Sequence, residues 1–176
     1  MEFSNPQKNL EQFDVMPGQK VADFGAGAGY YTFAISRLVG PAGMVIALDV
    51  RKDLLLTIKR EAVKTHLFNI ETLTTDLESP LGSKLKDASM ERGVVCNFLF
   101  QIKNKENFAK EVTRVIKSDG KILVIDWADS FGGIGPDKKD IVTAEMCQKL
   151  FLNNGFEFER QIDAGMHHYG FVFKKP

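Results

Sequence analysis

A run of glycines directly after a short apolar segment is the feature that most limits the fold of this chain. Residues 21–29 read Val-Ala-Asp-Phe-Gly-Ala-Gly-Ala-Gly, and a helical pattern follows. Glycines at such a turn permit positive φ angles and let a ligand approach the backbone closely. The dinucleotide fingerprint Gly-x-Gly-x-x-Gly would need a glycine at position 30, where the chain has Tyr30. The loop therefore predicts a ligand-binding turn in an α/β sheet and argues against an NAD enzyme.

The rest of the chain alternates short apolar runs with helical patterns. The nearly unbroken apolar runs, typical of strands covered on both faces, are residues 21–24, 44–48, 94–98 and 122–125. Apolar residues recur three and four positions apart over residues 30–39, 51–65 and 105–117. This order predicts a parallel sheet with helices on both faces. The Thr-rich run 70–75 is expected as a further strand near the sheet edge.

The C-terminal part of the chain has a different pattern. A helix over residues 143–153 is expected to end at Gly155. Residues 156–162 and 167–173 alternate apolar and polar side chains, which is typical of strands with one wetter face. The short link 163–166 fits a hairpin, so the last strand is predicted to run antiparallel to the others. Residues 77–89 and 130–140 are expected to be loops.

Length and charge limit the class of protein. The chain has 176 residues, which suits one domain, and we expect residues 1–176 to form it, with residues 1–14 as a lid or N-terminal helix. Its 23 Lys and Arg balance 23 Asp and Glu, so there is no electrostatic reason to expect nucleic acid or an anionic membrane as an obligatory partner. Cys96 and Cys147 lie in apolar segments, as thiols of a reducing compartment do. Without a leader-like or membrane-spanning run, a cytoplasmic protein is expected.

Acidic residues stand at the ends of successive predicted strands. Asp23 precedes the first glycine of the loop by two positions, Asp49 ends the second strand, and Asp76 follows the Thr-rich run. A carboxylate at Asp49 can accept hydrogen bonds from both hydroxyls of a ribose, and one at Asp76 can accept from the amine of an adenine. The set suits a ligand with a sugar, an amine and a base. Taken alone, Asp23 or Asp76 could equally be a helix cap or a turn former.

From residue 16 onward the pattern resembles the class I S-adenosylmethionine-dependent methyltransferases. The likeness is carried by the glycine loop, Ala47-Leu48-Asp49, Thr75-Asp76-Leu77, and the segments 96–99 and 117–121. It implies a Rossmann-like, mostly parallel seven-stranded sheet of order 3-2-1-4-5-7-6 with helices on both faces and strand 7 antiparallel. Segments 120–127 and 167–171 add a likeness to the small-molecule branch of ubiquinone, menaquinone and arsenite methyltransferases.

The resemblance implies S-adenosylmethionine as cofactor and S-adenosylhomocysteine as product. The cofactor-binding residues that it implies are Gly25, Gly27 and Gly29 at the methionine part, Asp23 at its amino group, Asp49 at the ribose, Asp76 at the adenine, and Asn97 in the fourth motif. The expected reaction is an in-line transfer of the methyl group to a small molecule.

The acceptor is expected beyond the carboxyl ends of the strands, where the antiparallel last strand begins. His167 and His168 are the candidate general bases, since imidazole titrates near neutral pH, with Asp129 and Tyr169 as further substrate-binding candidates. Both His could instead be polar ends of a surface hairpin. Trp127 could floor the acceptor pocket or cover the sheet end.

Three further expectations concern metals and partners. No metal site is expected, because neighbouring residues on a strand, His167 and His168, would point to opposite faces, and Asn97 stands where a catechol-type metal site needs an acid. Methylation of RNA or protein stays open as an alternative, supported by a basic stripe of Lys84, Lys86, Lys103 and Lys105. A catalytically silent module that binds S-adenosylmethionine is a third alternative.

Overall fold

Seven strands form one twisted sheet in the computed structural model, which describes residues 4–176. The strands are β1 (Lys20–Phe24), β2 (Met44–Asp49), β3 (Ile70–Thr74), β4 (Met90–Cys96), β5 (Ile116–Trp127), β6 (Glu157–Ile162) and β7 (His168–Lys174). Their order is β3-β2-β1-β4-β5-β7-β6. Strands β1 to β5 pair in parallel, whereas β7 runs antiparallel to β5 and to β6. The predicted fold class and strand order are confirmed.

Five α-helices within residues 4–176 cover the two faces of the sheet. They are α1 (Pro6–Glu11), α2 (Tyr30–Val39), α3 (Lys52–Lys64), α4 (Lys105–Val115) and α5 (Ala144–Asn153). Successive residues of β1 point to opposite faces, as the pleat of a strand requires. Val21 lies in the cluster that contains Ile35 of α2, while Phe24 packs edge-on against Phe108 of α4. The sheet is therefore buried between two helical layers, and its open edge is formed by the strand ends and their loops.

Strands β4 and β5 begin earlier than the sequence predicted. Strand β4 starts at Met90, and the charge of Glu91 at its beginning is compensated: Glu91 accepts a hydrogen bond from the backbone N–H of Lys20 and forms an ion pair with Lys117. It ends before Asn97, whose φ of 52° leaves the extended region. Strand β5 starts at Ile116 and shows a register irregularity opposite β4, so the polar residues predicted to precede it lie within the strand.

The beginning of β7 corrects a second expectation. His167 has a φ of 65° and lies in the turn, and the strand starts only at His168. His167 and His168 are therefore not neighbours on one strand, and the prediction that they point to its opposite faces is wrong. The 130–140 loop crosses the same edge of the sheet and contains a short bridge between Phe131 and Ile134. No helix within residues 4–176 is long and apolar enough to cross a membrane.

Candidate functional site

Two adjoining cavities form a cleft at the carboxyl ends of β1, β2 and β4. The Asp49 cavity, about 580 Å³, is lined by Asp49, Leu54, Thr75, Asp76 and Phe98, among others. The Asp23 cavity, about 460 Å³, is lined by Asp23, Tyr30, Tyr31, Cys96 and Asn97, among others. Both are also lined by Gly25, Gly27 and Gln101. The two cavities therefore adjoin along the glycine loop, and each is lined by a different strand-end acid.

The glycines of the loop have different structural reasons. A Cβ on Gly25, whose φ is +76°, would lie 2.2 Å from Cδ2 of Phe98, so this glycine makes room for the aromatic ring. A Cβ on Gly27, with φ of +52°, would meet only the Gly25 carbonyl oxygen at 3.9 Å and would otherwise enter open space. A Cβ on Gly29 would lie 2.7 Å from Cγ1 of Ile58, and the described residues lining the two cavities do not include Gly29. Gly29 thus allows Ile58 of α3 to pack against the beginning of α2.

Asp49 ties the second strand to the glycine loop. Its Oδ2 accepts a hydrogen bond from the backbone N–H of Gly27 at 2.9 Å, and its Oδ1 accepts one from the backbone N–H of Arg51 at 2.8 Å. An ionised carboxylate has about four acceptor positions, so two remain for a ligand. The backbone bonds fix the carboxylate at the cleft and leave it able to accept from two hydroxyls.

Asp23 is a buried carboxylate that lines the other cavity. Its residue is 2% exposed, and its Oδ2 accepts a hydrogen bond from the Thr32 hydroxyl at 2.5 Å. Burial, together with the nearby charge of Asp49, raises the pKa of Asp23 to about 6, although the Thr32 bond opposes this shift. Of the ion pairs found within residues 4–176, none involves Asp23. A buried acid without a cationic partner is suited to receive an ammonium group from a ligand.

Asn97 contributes an unpaired polar group to the Asp23 cavity. Its backbone N–H donates to the Ile125 carbonyl at 2.9 Å, which holds the left-handed turn at the end of β4. Its Oδ1 is buried and has no hydrogen-bond partner among the described residues. The unpaired Asn97 oxygen and the buried Asp23 carboxylate belong to residues that line the same cavity. Together they fit the amino group of an aminoacyl ligand, because an ammonium group has three hydrogen-bond donors.

The N-terminal segment closes one wall of the Asp23 cavity. Ser4 and Pro6 line that cavity, and the Asn9 amide of α1 donates to the Tyr31 hydroxyl of α2 at 2.7 Å. Residues 1–3 of the expected lid lie outside the described residues, so only the part from Ser4 onward can be assigned a position. Sequence reasoning did not find the Asn9 contact, since nothing in the spacing of α1 indicates it.

Asp76 lines the Asp49 cavity but also shapes the turn after β3. Its Oδ1 accepts from the backbone N–H of Glu78 at 3.0 Å, and its Oδ2 accepts from the Ser79 hydroxyl at 2.7 Å. These are the bonds of a turn former, the alternative role considered from the sequence. Because each oxygen keeps a second lone pair, the turn and a ligand amine can use the same carboxylate. The sequence placed Thr75 and Phe98 within motif segments without assigning a role to either side chain, and it did not identify Gln101, which lines both cavities.

The predicted acceptor-side residues meet at the beginning of β7. His167 Nδ1 lies 2.6 Å from Asp129 Oδ1, and the His167 ring stacks on Phe131 with centroids 4.3 Å apart. An ionised carboxylate only accepts, so Nδ1 carries the hydrogen of this bond, and in the neutral imidazole Nε2 then has the lone pair. Nε2 is buried and has no partner among residues 4–176. A base oriented by a carboxylate is the usual arrangement for general base catalysis.

Trp127 and His168 lie beside this pair. Their ring centroids are 4.3 Å apart, and a Cβ on Gly135 of the 130–140 loop would lie 2.8 Å from the indole, so the loop rests on Trp127. Burial lowers the pKa of His168 and favours its neutral form. None of Trp127, Asp129, His167 and His168 is among the described residues that line the two cavities. The 130–140 loop packs on Trp127 and on the His167 ring, whereas the Asp129 side chain is exposed.

Tyr169 lies in the core beneath the same edge. It is 5% exposed, and its hydroxyl donates to the Val142 carbonyl at 3.0 Å. This bond fixes the segment after the 130–140 loop and occupies the hydroxyl that a substrate would need. In the basic stripe, the ammonium groups of Lys84 and Lys105 donate to the carbonyls of Thr74 and Ile102, so these two lysines support loops of the protein itself.

Comparison with known families agrees with the geometry of the cleft. A family model described as a methyltransferase domain matches residues 16–168 of this chain. The chain belongs to this methyltransferase domain family. The membership confirms the family predicted from the glycine loop and Asp49, that of class I S-adenosylmethionine-dependent methyltransferases, whose sheet order this domain has.

Two curated relatives share part of the methyltransferase domain. The chain is 28% identical over 116 residues to the ubiquinone/menaquinone biosynthesis C-methyltransferase UbiE of Pasteurella multocida, a match that covers 65% of this chain and 42% of that protein. It is 26% identical over 121 residues to the demethylmenaquinone methyltransferase of Bacillus cereus, covering 68% of this chain and 49% of that protein. The matches thus span about half the length of these relatives.

Solved structures share the fold over nearly the whole chain. A SAM-dependent methyltransferase from Aquifex aeolicus superposes with a TM-score of 0.88 at 24% identity, covering 97% of this chain and 89% of that one. The [4+2]-cyclase SpnF superposes with a TM-score of 0.82 at 15% identity, covering 97% and 80%. One of these proteins is named a methyltransferase and the other a cyclase, so the shared fold does not by itself specify the reaction.

Proposed function

We propose that this methyltransferase domain binds S-adenosylmethionine in the cleft and transfers its methyl group to a small molecule. The observation that carries the proposal is the pair of acids, Asp49 and Asp23, in two adjoining cavities along the glycine loop. Asp49 keeps two acceptor positions for the ribose diol, and buried Asp23 lacks a cation, which the amino group of the ligand supplies. The unpaired Asn97 Oδ1 and the open space beside Gly27 support the fit.

S-Adenosylmethionine supplies a methyl group on a sulfonium, which is reactive enough to need no further activation. The protein then contributes by holding the acceptor in line and excluding water. An acceptor that carries a proton also needs a base. His167, oriented by Asp129, is the base that we assign to this role, and Trp127 with His168 forms the neighbouring aromatic wall. Movement of the 130–140 loop would uncover this wall for the acceptor.

A small-molecule acceptor is supported by charge and by the relatives. Equal numbers of acidic and basic residues provide no general attraction for nucleic acid. One curated relative is named for ubiquinone/menaquinone biosynthesis and the other for demethylmenaquinone. Two of the four lysines of the basic stripe bind backbone carbonyls, which weakens the alternative of an RNA substrate.

Ligand-dependent thermal stability tests the cofactor. S-Adenosylmethionine and S-adenosylhomocysteine are expected to raise the melting temperature, with about 2.7 kcal/mol of added stability at 100 times the dissociation constant, whereas NAD leaves it unchanged. Asp49→Ala is expected to abolish the effect. Asp87→Ala is the matched control, because Asp87 is exposed and pairs with Arg114 away from the cleft. Stabilisation by NAD alone would refute the cofactor assignment.

Transfer of labelled methyl groups into a cell extract tests the acceptor. We expect label in the small-molecule fraction. Label in the RNA or protein fraction would show that the acceptor is that macromolecule and not a small molecule. Cofactor binding without label in any fraction would favour the silent binding module.

A further inference from the structure

A third cavity, of about 580 Å³, carries an excess of positive charge. We call it the lysine cavity, because Lys103, Lys105 and Lys139 line it, whereas Asp140 is the single acid among its described lining residues. Two of these lysines belong to the basic stripe found in the sequence. The described residues that line the Asp49 and Asp23 cavities include none of the three.

The protein itself neutralises little of this charge. Among the ion pairs within residues 4–176, none involves Lys103 or Lys105. Lys105 Nζ donates one hydrogen to the Ile102 carbonyl at 2.6 Å, which leaves two of its three donors. Lys139 lies 3.8 Å from Asp137, and both side chains are exposed, so water screens this pair. The cavity therefore keeps both charge and donors for an anion.

The lysine cavity connects residues of the cofactor cleft with the acceptor-side loop. Gln101 and Ile102 line both this cavity and the Asp49 cavity, so the two spaces adjoin. Residues 139–142, at the end of the 130–140 loop and just after it, form another part of the lining. The Val142 carbonyl accepts from the Tyr169 hydroxyl at 3.0 Å, which ties this wall to β7. A molecule bound beside the cofactor can therefore extend into the lysine cavity.

The lining of the cavity indicates the chemistry of its occupant. Carboxylate and phosphate oxygens accept hydrogen bonds, and a lysine ammonium donates to either as a point charge. Phe100, Ile141 and Met146 add apolar surface to the same cavity. Charge and apolar surface together suit an organic anion.

We propose that the methyl acceptor is an organic anion whose carboxylate or phosphate binds Lys103 and Lys139 in the lysine cavity. The inference rests on the proposed function and deepens it by naming the class of acceptor. The anionic group is an anchor and does not itself receive the methyl group, so the methylated product keeps its negative charge. Lys103 and Lys139 thus select the acceptor.

An NMR titration of ¹⁵N-labelled protein, in the presence of S-adenosylhomocysteine, tests anion binding with phenyl phosphate, benzoate and uncharged benzyl alcohol. Both anions at millimolar concentration are expected to shift the amide signals of residues 103–105 and 139–142, and benzyl alcohol is not. Lys103→Gln/Lys139→Gln should weaken both anions by about threefold to thirtyfold, the range for two exposed charge pairs. Lys86→Gln is the matched control, because Lys86 belongs to the basic stripe, is exposed and lines none of the three cavities.

Transfer of labelled methyl groups into dilute cell extract, where the rate follows kcat/KM, tests the acceptor itself. The labelled small-molecule product of the wild type is expected to bind an anion-exchange resin. Its rate of formation should fall by the same factor in the double variant, while the affinity for S-adenosylhomocysteine stays within twofold. Product that no longer binds the resin after phosphatase treatment carries a phosphate, and product that still binds carries a carboxylate.

The contrary results separate this inference from the proposed function. Absence of shifts with both anions, equal shifts with benzyl alcohol, a product that does not bind the resin, or an unchanged rate in the double variant would each overturn the inference alone. Label in RNA that falls in the double variant would assign the lysines to nucleic acid and overturn the inference with the proposed acceptor class. A wild type that binds no S-adenosylhomocysteine and transfers no label would overturn the proposed function and the acceptor role of the cavity, even where the anions bind.

Discussion

Replacing Asp23 by asparagine should make the ligand-free protein more stable while preventing it from binding its ligand. Asp23 is 2% exposed, and burial is the largest cause of its raised pKa. Asparagine has nearly the same shape and cannot ionise, and its carbonyl oxygen can still accept from the Thr32 hydroxyl. The variant therefore removes the charge and keeps the packing.

The size of the gain follows from the pKa of Asp23. The shift from 3.8 to about 6 is roughly 2 pH units, and each unit corresponds to about 1.4 kcal/mol, so the charged form costs about 3 kcal/mol at neutral pH. An unpaired amide N–H in the variant gives back about 1 kcal/mol. A net gain of about 2 kcal/mol raises the melting temperature of a chain of this length by about 4–8 °C.

The sign of the effect depends on pH. The pKa of Asp23 is higher in the folded than in the unfolded state, so the folded state binds the proton more tightly. The free-energy cost of the buried Asp23 charge is nearly complete above pH 6 and falls to about half by pH 5. It vanishes below pH 3.8, the pKa of the group in the unfolded state. The stability difference between Asp23→Asn and the wild type should shrink accordingly as the pH falls.

Urea denaturation of both proteins at pH 8 and at pH 5, with and without S-adenosylhomocysteine, measures these differences. We expect Asp23→Asn to be more stable than the wild type at pH 8 without ligand, and to gain nothing when the ligand is added. A variant that is less stable than the wild type at pH 8, or a difference that does not change with pH, would refute the reasoning. Asp23 would then be stabilised by an interaction stronger than its cost of burial.

The remaining predictions concern the loop, the ligand and the base. Gly25→Ala should destabilise the fold by about 2–5 kcal/mol through backbone strain and the clash with Phe98. Gly27→Ala should destabilise the fold by about 1 kcal/mol and mainly abolish ligand binding. Urea denaturation measures the loss of stability, and calorimetry measures the loss of binding. Wild-type affinity for S-adenosylhomocysteine should fall up to tenfold per pH unit below about pH 6, as the proton competes for Asp23, and a flat calorimetric profile would place the ammonium elsewhere. His167→Asn should lower kcat by about 10²–10⁴ and leave calorimetric affinity for S-adenosylhomocysteine within twofold; an unchanged kcat would remove His167 as base.

The fold could be predicted closely because it depends on patterns that a sequence carries. The apolar run before the glycine loop, its helix from Tyr30 and the antiparallel last strand all follow from hydrophobic spacing and turn residues. The errors arose where side-chain pairing overrides the pattern. Glu91 sits inside β4 because Lys117 and the backbone of Lys20 compensate its charge, and a window of hydropathy contains no information about those distant partners.

The two acids of the candidate cofactor site could be predicted from the sequence in the same way. Asp23 and Asp49 stand at strand ends, so parallel pairing brings them to one edge wherever the strands begin. The close contact between Gly25 and the Phe98 ring could not be predicted from the sequence, since it depends on the rotamer of Phe98. Nor could the lysine cavity, because only the packed structure brings residues 103–105 and 139–142 to one cavity.

The two halves of the site differ in how strongly the fold determines them. The cleft is built from backbone: the glycine loop, the N–H groups that hold Asp49, and the strand ends that place Asp23. Any chain with this sheet and these residues will reproduce it. The proposed acceptor side, in contrast, borders a loop that contains Gly132, Gly133 and Gly135, all with positive φ, and Phe131 of that loop stacks on the proposed base. Since loops vary and move more than strands, fold likeness should transfer the cofactor far more reliably than the acceptor. The acceptor must therefore be found by experiment on this chain.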